Sequence, residues 1–229
     1  MEIKGLQKTT LLDFPSKVAC TVFTGGCNFR CPFCHNASLV IRPDAASGFD
    51  TEEFFAYIQK RKGILDGVCI TGGEPLLHKD IIPFMERIKS LGLLIKLDTN
   101  GSFPELLSEI IARGLVDYIA MDIKNSEEKY ASTCGIHRFP DGVNESIELI
   151  MSCGVDYEFR TTVVDELHTV EDIERIAERI RGAKRYFIQS FTDSGDLIIS
   201  GFSSCSMQKM QEMLAAAKKI LPAVELRGV

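Results

Sequence analysis

Short apolar runs rich in β-branched residues alternate with longer amphipathic segments along most of the chain. The short runs predict buried strands, because strands that are buried on both faces read as nearly continuous apolar stretches. The segments between them repeat apolar residues every three or four positions, which predicts helices. The predicted strands cover residues 18–24, 67–71, 93–99, 116–123, 156–164 and 185–191, with a short last strand at 223–226. The predicted helices cover residues 49–61, 80–92, 103–114, 142–154, 170–180 and 206–221.

This order gives six βα units. Strict alternation predicts an α/β fold with a parallel sheet and right-handed crossovers. A complete eight-fold barrel typically needs about 250 residues, and the chain has 229. The sequence therefore predicts either a doubly wound sheet or a partial (βα)6 barrel of the TIM type. No change of composition marks a boundary, so we predict a single domain over 1–229. It would comprise an N-terminal extension at 1–16, the βα units at 17–203, and a C-terminal helix and tail at 204–229.

Composition and charge narrow the classes of function. The chain is 45% hydrophobic with a formal net charge of −6, which is typical of a globular protein. No basic block indicates nucleic-acid binding, and no apolar run is long enough for a signal peptide or a membrane span. We therefore expect a cytoplasmic protein with neither a nucleic-acid nor a membrane partner. Thiols are kept reduced there, so clustered cysteines indicate metal binding or catalysis.

Polar and glycine-rich segments follow one predicted strand after another. The carboxyl ends of parallel strands meet at one edge of the sheet, where α/β proteins place their sites. We therefore expect one crevice lined by all of these segments. They are TGGCNFRCPFCHN (24–36), TGGEP (71–75), DTNG (98–101), MDIK (121–124), Arg160 within FRTTVV, and IQSF (188–191).

The first of these segments holds Cys27, Cys31 and Cys34, with the spacing C-x3-C-x2-C. Soft thiolates select iron–sulfur clusters, zinc or copper(I). A [4Fe–4S] cluster usually takes four cysteines, so three would leave one iron open to a ligand from outside the protein. The alternative is a zinc ion with His35 as the fourth ligand. The spacing favours the cluster, because Cys34 and His35 are adjacent and no second pair of ligands is evident.

A C-x3-C-x2-C loop after the first strand of a βα barrel resembles the radical S-adenosylmethionine superfamily. The resemblance implies that the three cysteines are catalytic ligands of a [4Fe–4S] cluster. The open iron would chelate S-adenosylmethionine, and reduction would cleave it to methionine and a 5′-deoxyadenosyl radical. Phe33 would lie near the adenine, and His35 would lie beside the cofactor. TGGEP is similar to the family's segment that receives the methionine amino group, here Gly72, Gly73, Glu74 and Pro75.

More narrowly, the chain resembles the activating enzymes of glycyl radical enzymes. The resemblance implies that Asp98, Asn100, Asp122 and Lys124 contact S-adenosylmethionine and shape a monovalent cation site, with Lys124 also catalytic. Arg160 would lie near the cofactor carboxylate. The segments QKTTLLDFPSKVACTVFTGGCNFRCPFCHN, FRTTVVDELHT and YFIQSF are similar to those of activating proteins of anaerobic ribonucleoside-triphosphate reductase. Asp165 departs from that pattern, in which proline is expected.

The resemblance implies hydrogen abstraction from a glycine of a partner glycyl radical enzyme, most simply the anaerobic ribonucleotide reductase. A low-potential donor such as flavodoxin or ferredoxin would supply the electron. Three alternatives stay open. The chain could activate pyruvate formate-lyase or a related enzyme, it could act on a small molecule or RNA, or it could be a cluster or zinc protein without catalysis.

The remaining candidate residues have simpler interpretations. Two cysteines within predicted strands indicate small buried side chains, and three others show no ligand spacing. His168 in a loop is typical of a solvated histidine, and Gln189 of a hydrogen-bonding residue at a strand end. The five cysteines are Cys20 and Cys69, and then Cys134, Cys153 and Cys205.

Overall fold

Eight strands form one sheet in the order in which they occur along the chain. The structure, a computed structural model, describes residues 1–45 and 48–229. The strands are β1 (Ile3–Thr10), β2 (Ala19–Thr24), β3 (Gly67–Gly72), β4 (Leu94–Thr99), β5 (Tyr118–Asp122), β6 (Asp156–Val163), β7 (Tyr186–Ser190) and β8 (Val224–Arg227).

Helices occupy the connections between the strands. They are α1 (Ala37–Ile41), α2 (Thr51–Lys60), α3 (Ile81–Ser90), α4 (Pro104–Ala112), α5 (Glu127–Cys134), α6 (Gly142–Ser152), α7 (Val170–Arg179) and α8 (Met207–Lys218). Among the helices of the described residues, none has both the length and the apolar character needed to cross a membrane. Asp50 caps α2 by accepting the N–H of Glu53.

The sheet is parallel except at one edge. Strands β2 to β8 run in the same direction, whereas β1 pairs antiparallel with β2. Six βα units and a short last strand follow β1, so the predicted α/β fold with parallel strands is confirmed. The described strands form an open sheet ending at β1 and β8, which agrees with a partial barrel and not with a closed one.

Three elements were not predicted from the sequence. Strand β1 lies in the segment assigned as an extension, and much of its polar sequence IKGLQKTT is exposed. Helix α1 has only five residues, too few to show a helical period. Helix α5 buries Tyr130, Thr133 and Cys134, and this mixed set does not form an apolar stripe. Edge strands and short helices are held by their neighbours more than by their own pattern.

The parallel strands carry different chemistry on their two faces, because successive side chains alternate across a sheet. On β4, Ile95 and Leu97 are fully buried in the apolar core. The alternate positions on β4 hold Lys96 and Asp98, which form an ion pair inside the barrel. The apolar layer therefore packs against the helices, while the lumen is largely polar.

The amino end of the lumen is closed by the loop between β1 and β2. Phe14, 3% exposed, packs there in a small apolar cluster with Ala19, Cys69, Tyr118 and Ala120. Its ring centroid is 6.1 Å from that of Tyr118. The opposite, carboxyl end of the strands is left for a site.

We expect Phe14→Ala to lower the free energy of unfolding by about 3–5 kcal/mol, because it empties an enclosed apolar layer. Leu12→Ala is the matched control, since Leu12 is 91% exposed in the same loop. That change is expected to stay within about 0.5 kcal/mol of the wild type. Urea denaturation of both variants measures the difference, and equal losses would contradict the proposed closure of the lumen by Phe14.

Candidate active site

A cavity of about 1000 Å³, counting its open mouth, lies at the carboxyl end of the strands. It is lined by segments that follow β2, β3, β4 and β5 and by side chains on β6 and β7. The structure therefore brings the six sequence segments into one crevice. The candidate residues on its wall are Cys27, Cys31, Phe33, Cys34, His35, Gly72, Gly73, Asp98, Asn100, Asp122, Lys124, Arg160 and Gln189.

The cysteine loop connects β2 to α1. The sulfur of Cys27 accepts the N–H of Phe29 at 3.3 Å and lies 3.8 Å from Nδ2 of Asn100. The N–H of Cys34 donates to the carbonyl of Cys31 at 3.0 Å, which folds the second half of the loop into a turn. In residues 1–45 and 48–229, no three His, Cys, Asp or Glu side chains stand close enough to hold a single ion.

A segment between β7 and α8 fastens the second half of the cysteine loop. The Asp196 carboxylate accepts the N–H of Ser38 at 3.1 Å and its hydroxyl at 2.7 Å, at the start of α1. Three residues later, the N–H of Ile199 donates to the carbonyl of Pro32 at 2.9 Å. Because these contacts are far apart in sequence, no local pattern could have indicated them.

The end of α5 supports the first half of the same loop. The carbonyl of Cys134 accepts the N–H of Arg30 at 2.8 Å. Gly135 follows with φ +62°, and a Cβ there would lie 2.4 Å from the Arg30 carbonyl oxygen. A side-chain hydrogen bond with Cys134 holds the pKa of Cys31 below its usual value. Cys134 shows no ligand spacing along the chain, yet the fold places it beside Cys31.

The glycine pair after β3 packs directly on the cysteine loop. A Cβ on Gly73 would lie 1.8 Å from the carbonyl oxygen of Gly26. Gly72 has φ +121°, and a Cβ there would lie 2.3 Å from the backbone nitrogen of Thr24. The N–H of Glu74 donates to that Gly26 carbonyl at 2.9 Å. Only glycine permits this approach of two backbones.

Glu74 and Pro75 do not line the cavity, although the resemblance implied that they contact the cofactor. The Glu74 carboxylate is fully buried and accepts the hydroxyl of Thr99 at 2.8 Å and the N–H groups of Asn100 and Leu76 at 2.7 and 3.1 Å. It therefore ties the turn after β3 to the turn after β4. Burial raises the pKa of Glu74 to about 7, and these three donors oppose that rise.

The floor of the cavity is a network of partly buried charges centred on Arg160. Nε of Arg160 donates to Oδ1 of Asp122 at 2.8 Å, and Nη1 donates to Oδ2 of Asp98 at 3.3 Å. Lys124 donates to Oδ2 of Asp122 at 3.1 Å. The ammonium of Lys96 lies 3.3 Å from Oδ1 of Asp98, within range for charge attraction but without hydrogen-bond alignment. Every carboxylate on this floor thus has a cationic partner.

The pKa values of this network follow from the pairing. Burial alone would lower the pKa of Arg160, but the carboxylates of Asp122 and Asp98 raise it above its usual value. Burial would raise the pKa of Asp122, but Arg160 and Lys124 hold it well below its usual range. Lys124 keeps its proton in the same way, because Asp122 raises its pKa against the effect of burial. Arg160, Asp122 and Lys124 are therefore charged near neutral pH.

The ion pairs of this floor change two expectations, one about Arg160 and one about a monovalent cation site. A guanidinium inside the lumen needs a carboxylate, and the sequence suggested that the cofactor would provide it. In the structure Asp122 and Asp98 already do. The same two carboxylates, implied to shape a monovalent cation site, are engaged with Arg160, Lys124 and Lys96.

Three threonines on the cavity wall, Thr71, Thr99 and Thr162, were not singled out from the sequence. Thr162 could have been found, because it stands two residues after Arg160 on β6 and therefore faces the same side of the sheet. Thr99 follows Asp98, and its hydroxyl donates to the carboxylate of Glu74 behind the wall.

Comparison with known proteins shows the family to which this chain belongs. The family model for the radical SAM superfamily matches residues 21–180. A Methanocaldococcus jannaschii protein with the provisional name of glycyl-radical enzyme activating enzyme is 32% identical, over 99% of this chain and 96% of its own length. The pyruvate formate-lyase-activating enzyme of Clostridium pasteurianum is 26% identical, over 80% of this chain and 77% of its own.

Two further proteins resemble this chain, one in sequence and one in fold. A 7-carboxy-7-deazaguanine synthase of Thermococcus kodakarensis is 27% identical, over 72% of this chain and 70% of its own. The crystal structure of Streptococcus suis SuiB bound to its precursor peptide SuiA superposes on 91% of this chain and 48% of that one. Its TM-score is 0.71 at 15% identity, so this likeness concerns the fold alone.

Glu74 should make the free energy of unfolding depend on pH. Its pKa is raised from the ordinary 4.5 to about 7, so the folded protein keeps a proton that the unfolded chain has lost. The stability that this group contributes is complete below about pH 4.5 and is lost as the pH rises through about 7. We expect the free energy of unfolding to fall more steeply from about pH 5 to about pH 8 in the wild type than in Glu74→Gln, which does not titrate. Urea denaturation at both pH values tests this, and parallel slopes in the two proteins would contradict it.

Proposed function

We propose that this protein, which belongs to the radical SAM superfamily, is an activating enzyme of a glycyl radical enzyme. In this proposal it cleaves S-adenosylmethionine reductively and abstracts a hydrogen atom from a glycine of its partner. The observation that carries the proposal is the meeting of three thiols, the Gly72–Gly73 turn and the Asp122–Lys124 pair on the wall of one open cavity. The 32% identity to the Methanocaldococcus jannaschii protein over nearly the whole chain supports an activating enzyme.

The donor set of the cavity fits a [4Fe–4S] cluster with one open iron. Cys27, Cys31 and Cys34 share the wall, and soft thiolates are the ligands that such clusters take. When bound, the cluster supplies the electron that cleaves S-adenosylmethionine and so gives the 5′-deoxyadenosyl radical. Buried Cys134 stays behind Cys31 and does not line the cavity, so three cysteines face it from the described residues.

The charged floor fits the methionine end of S-adenosylmethionine. That end carries an ammonium and a carboxylate, and the cavity offers both Asp122 and Lys124. We assign the carboxylate to the ammonium of Lys124. Among the described residues, Asp122 alone accepts a hydrogen bond from it, which leaves N–H groups for a ligand. Carbonyl groups of the Gly72–Gly73 turn would receive the amino group. Asn100, Asp98 and Arg160 would complete the wall.

An open cavity suits a protein substrate, because a chain segment that carries the glycine must reach the site. We propose the anaerobic ribonucleoside-triphosphate reductase as the partner, since the three segments quoted above resemble those of its activating proteins. A flavodoxin or ferredoxin as electron donor and a monovalent cation, both implied by that resemblance, stay predictions.

Two alternative functions are each supported by one observation. Activation of pyruvate formate-lyase is favoured by the 26% identity to the Clostridium pasteurianum enzyme over 80% of the chain. A radical reaction on a small molecule is favoured by the likeness to the 7-carboxy-7-deazaguanine synthase. The small-molecule hypothesis predicts turnover without any partner protein.

The chemistry is tested by anaerobic reconstitution with iron and sulfide, reduction, and addition of S-adenosylmethionine. We expect about four irons per chain, as in a single [4Fe–4S] cluster, together with release of 5′-deoxyadenosine. Cys31→Ala should lose most of the iron and all of the product. Cys153→Ala is the matched control, because this partly buried thiol lies off the cavity and bonds the Ile150 carbonyl. Cleavage that survived Cys31→Ala would reject the proposal.

The partner is tested by electron paramagnetic resonance. The reduced protein is mixed with S-adenosylmethionine and either anaerobic ribonucleotide reductase or pyruvate formate-lyase from the same organism. We expect a glycyl radical signal with the reductase and none with the lyase. The reverse pattern would reassign the partner, and signals with neither would favour a small-molecule substrate.

A further inference from the structure

A buried histidine lies directly behind the cavity wall. His168 sits between β6 and α7 and is 1% exposed, although a loop histidine of this kind was expected to be solvated. It is not among the residues that line the cavity. Its ring nevertheless contacts two parts of the wall, the backbone of Lys124 and the ring of Phe33.

Both nitrogens of the imidazole are engaged with backbone groups. Nδ1 accepts the N–H of Val164 at 3.0 Å. Since Nδ1 is the acceptor, the proton lies on Nε2, which donates to the carbonyl of Lys124 at 2.8 Å. Burial also lowers the pKa of His168, which keeps the ring neutral. The side chain therefore fixes the end of β6 to the end of β5.

The hydrogen bond from His168 to the Lys124 carbonyl acts on the cavity through the backbone of Lys124. Lys124 stands two residues after Asp122, the last residue of β5, and its ammonium bonds the Asp122 carboxylate inside the cavity. A residue outside regular structure has no ladder hydrogen bond to hold its peptide group. The His168 bond does this for Lys124 and so sets the point from which its side chain enters the cavity.

The contact between His168 and Phe33 connects the imidazole to the cysteine loop. The two ring centroids are 6.3 Å apart with an interplanar angle of 82°, an edge-to-face arrangement. Phe33 stands between Cys31 and Cys34 and is itself nearly buried. Phe191 and Phe202 pack edge-on against it at 6.3 and 6.4 Å. One imidazole thus contacts two parts of the cavity wall that come from different loops, after β2 and after β5.

We propose that His168 is a positioning residue for S-adenosylmethionine, which fixes Lys124 and Phe33 relative to each other without contacting the cofactor. This inference rests on the proposed function, because it assigns Lys124 and Phe33 to the cofactor site. A residue of this kind tightens binding by preorganising the groups in front of it, and such supporting groups are typically worth about tenfold or more.

The test compares three substitutions of the reconstituted, unreduced protein by equilibrium dialysis with S-adenosylmethionine. His168→Phe keeps the aromatic packing on Phe33 and removes both hydrogen bonds, so we expect the dissociation constant to rise roughly tenfold. His168→Gln places an N–H donor near the position of Nε2 and should recover most of the affinity. His168→Asn places its side-chain amide near Nδ1, too short to reach the Lys124 carbonyl, and should not.

A purely structural role is separated by a control variant. Tyr186→Phe removes one buried hydrogen bond, the 2.9 Å bond to the hydroxyl of Thr161, from a side chain that does not line the cavity. We expect it to lower the melting temperature as His168→Phe does, with wild-type affinity for S-adenosylmethionine. The change that S-adenosylmethionine causes in the paramagnetic signal of the reduced cluster should also weaken in His168→Phe alone.

The results of these experiments distinguish failure of the positioning role from failure of the proposed function. Wild-type affinity in His168→Phe, or an equal loss in Tyr186→Phe, would overturn the positioning role and leave the proposed function standing. Binding that depends on His168 in a wild type that forms no 5′-deoxyadenosine would support the positioning role and reject the proposed function. A wild type that does not bind S-adenosylmethionine would reject both.

Discussion

The buried guanidinium of Arg160 is the group on which the arrangement of the cavity depends. A cation inside a protein is tolerated only with carboxylates around it, and the strand period of two supplies them. Asp98 on β4, Asp122 on β5 and Glu158 on β6 all face the lumen, within 3.3, 2.8 and 4.0 Å of Arg160 nitrogens. Arg227 on β8 in turn pairs with Glu158 at 2.9 Å. Four strands are therefore held in one relative position by the need to neutralise one another's charges.

The cysteine loop has no regular structure, so it must take its shape from its neighbours. It receives support from three sides. The Gly72–Gly73 turn presses on the backbone of Gly26, the end of α5 holds Arg30, and the segment around Asp196 holds the start of α1. Glu74 joins the first of these supports to the turn after β4. A loop fixed in this way can present three thiols in a constant geometry, which an isolated loop would not do.

The sequence predicted the parallel strands and most helices, because buried parallel strands and amphipathic helices carry strong periodic patterns. It also predicted that the polar segments meet at one cavity, since the carboxyl ends of parallel strands converge. It could not predict supports between residues distant in sequence. His168 bonding Lys124, Asp196 capping α1 and Cys134 beside Cys31 have no local pattern. Nor could it show that Glu74 turns away from the cavity, because a motif gives a residue's place along the chain and not the direction of its side chain.

The two ends of the lumen differ in chemistry, and this difference supports the proposal that the charged end binds a ligand. At the amino end, Phe14, Ala19, Cys69, Tyr118 and Ala120 fill the lumen with an apolar layer, so this fold accepts such packing. Buried ion pairs are often no more stabilising than apolar residues of similar volume. Stability alone therefore gives no reason for Asp98, Asp122, Lys124 and Arg160 to occupy the other end. A zwitterionic ligand does give one, because a floor that is already charged and paired can offer both signs without first having to reorganise.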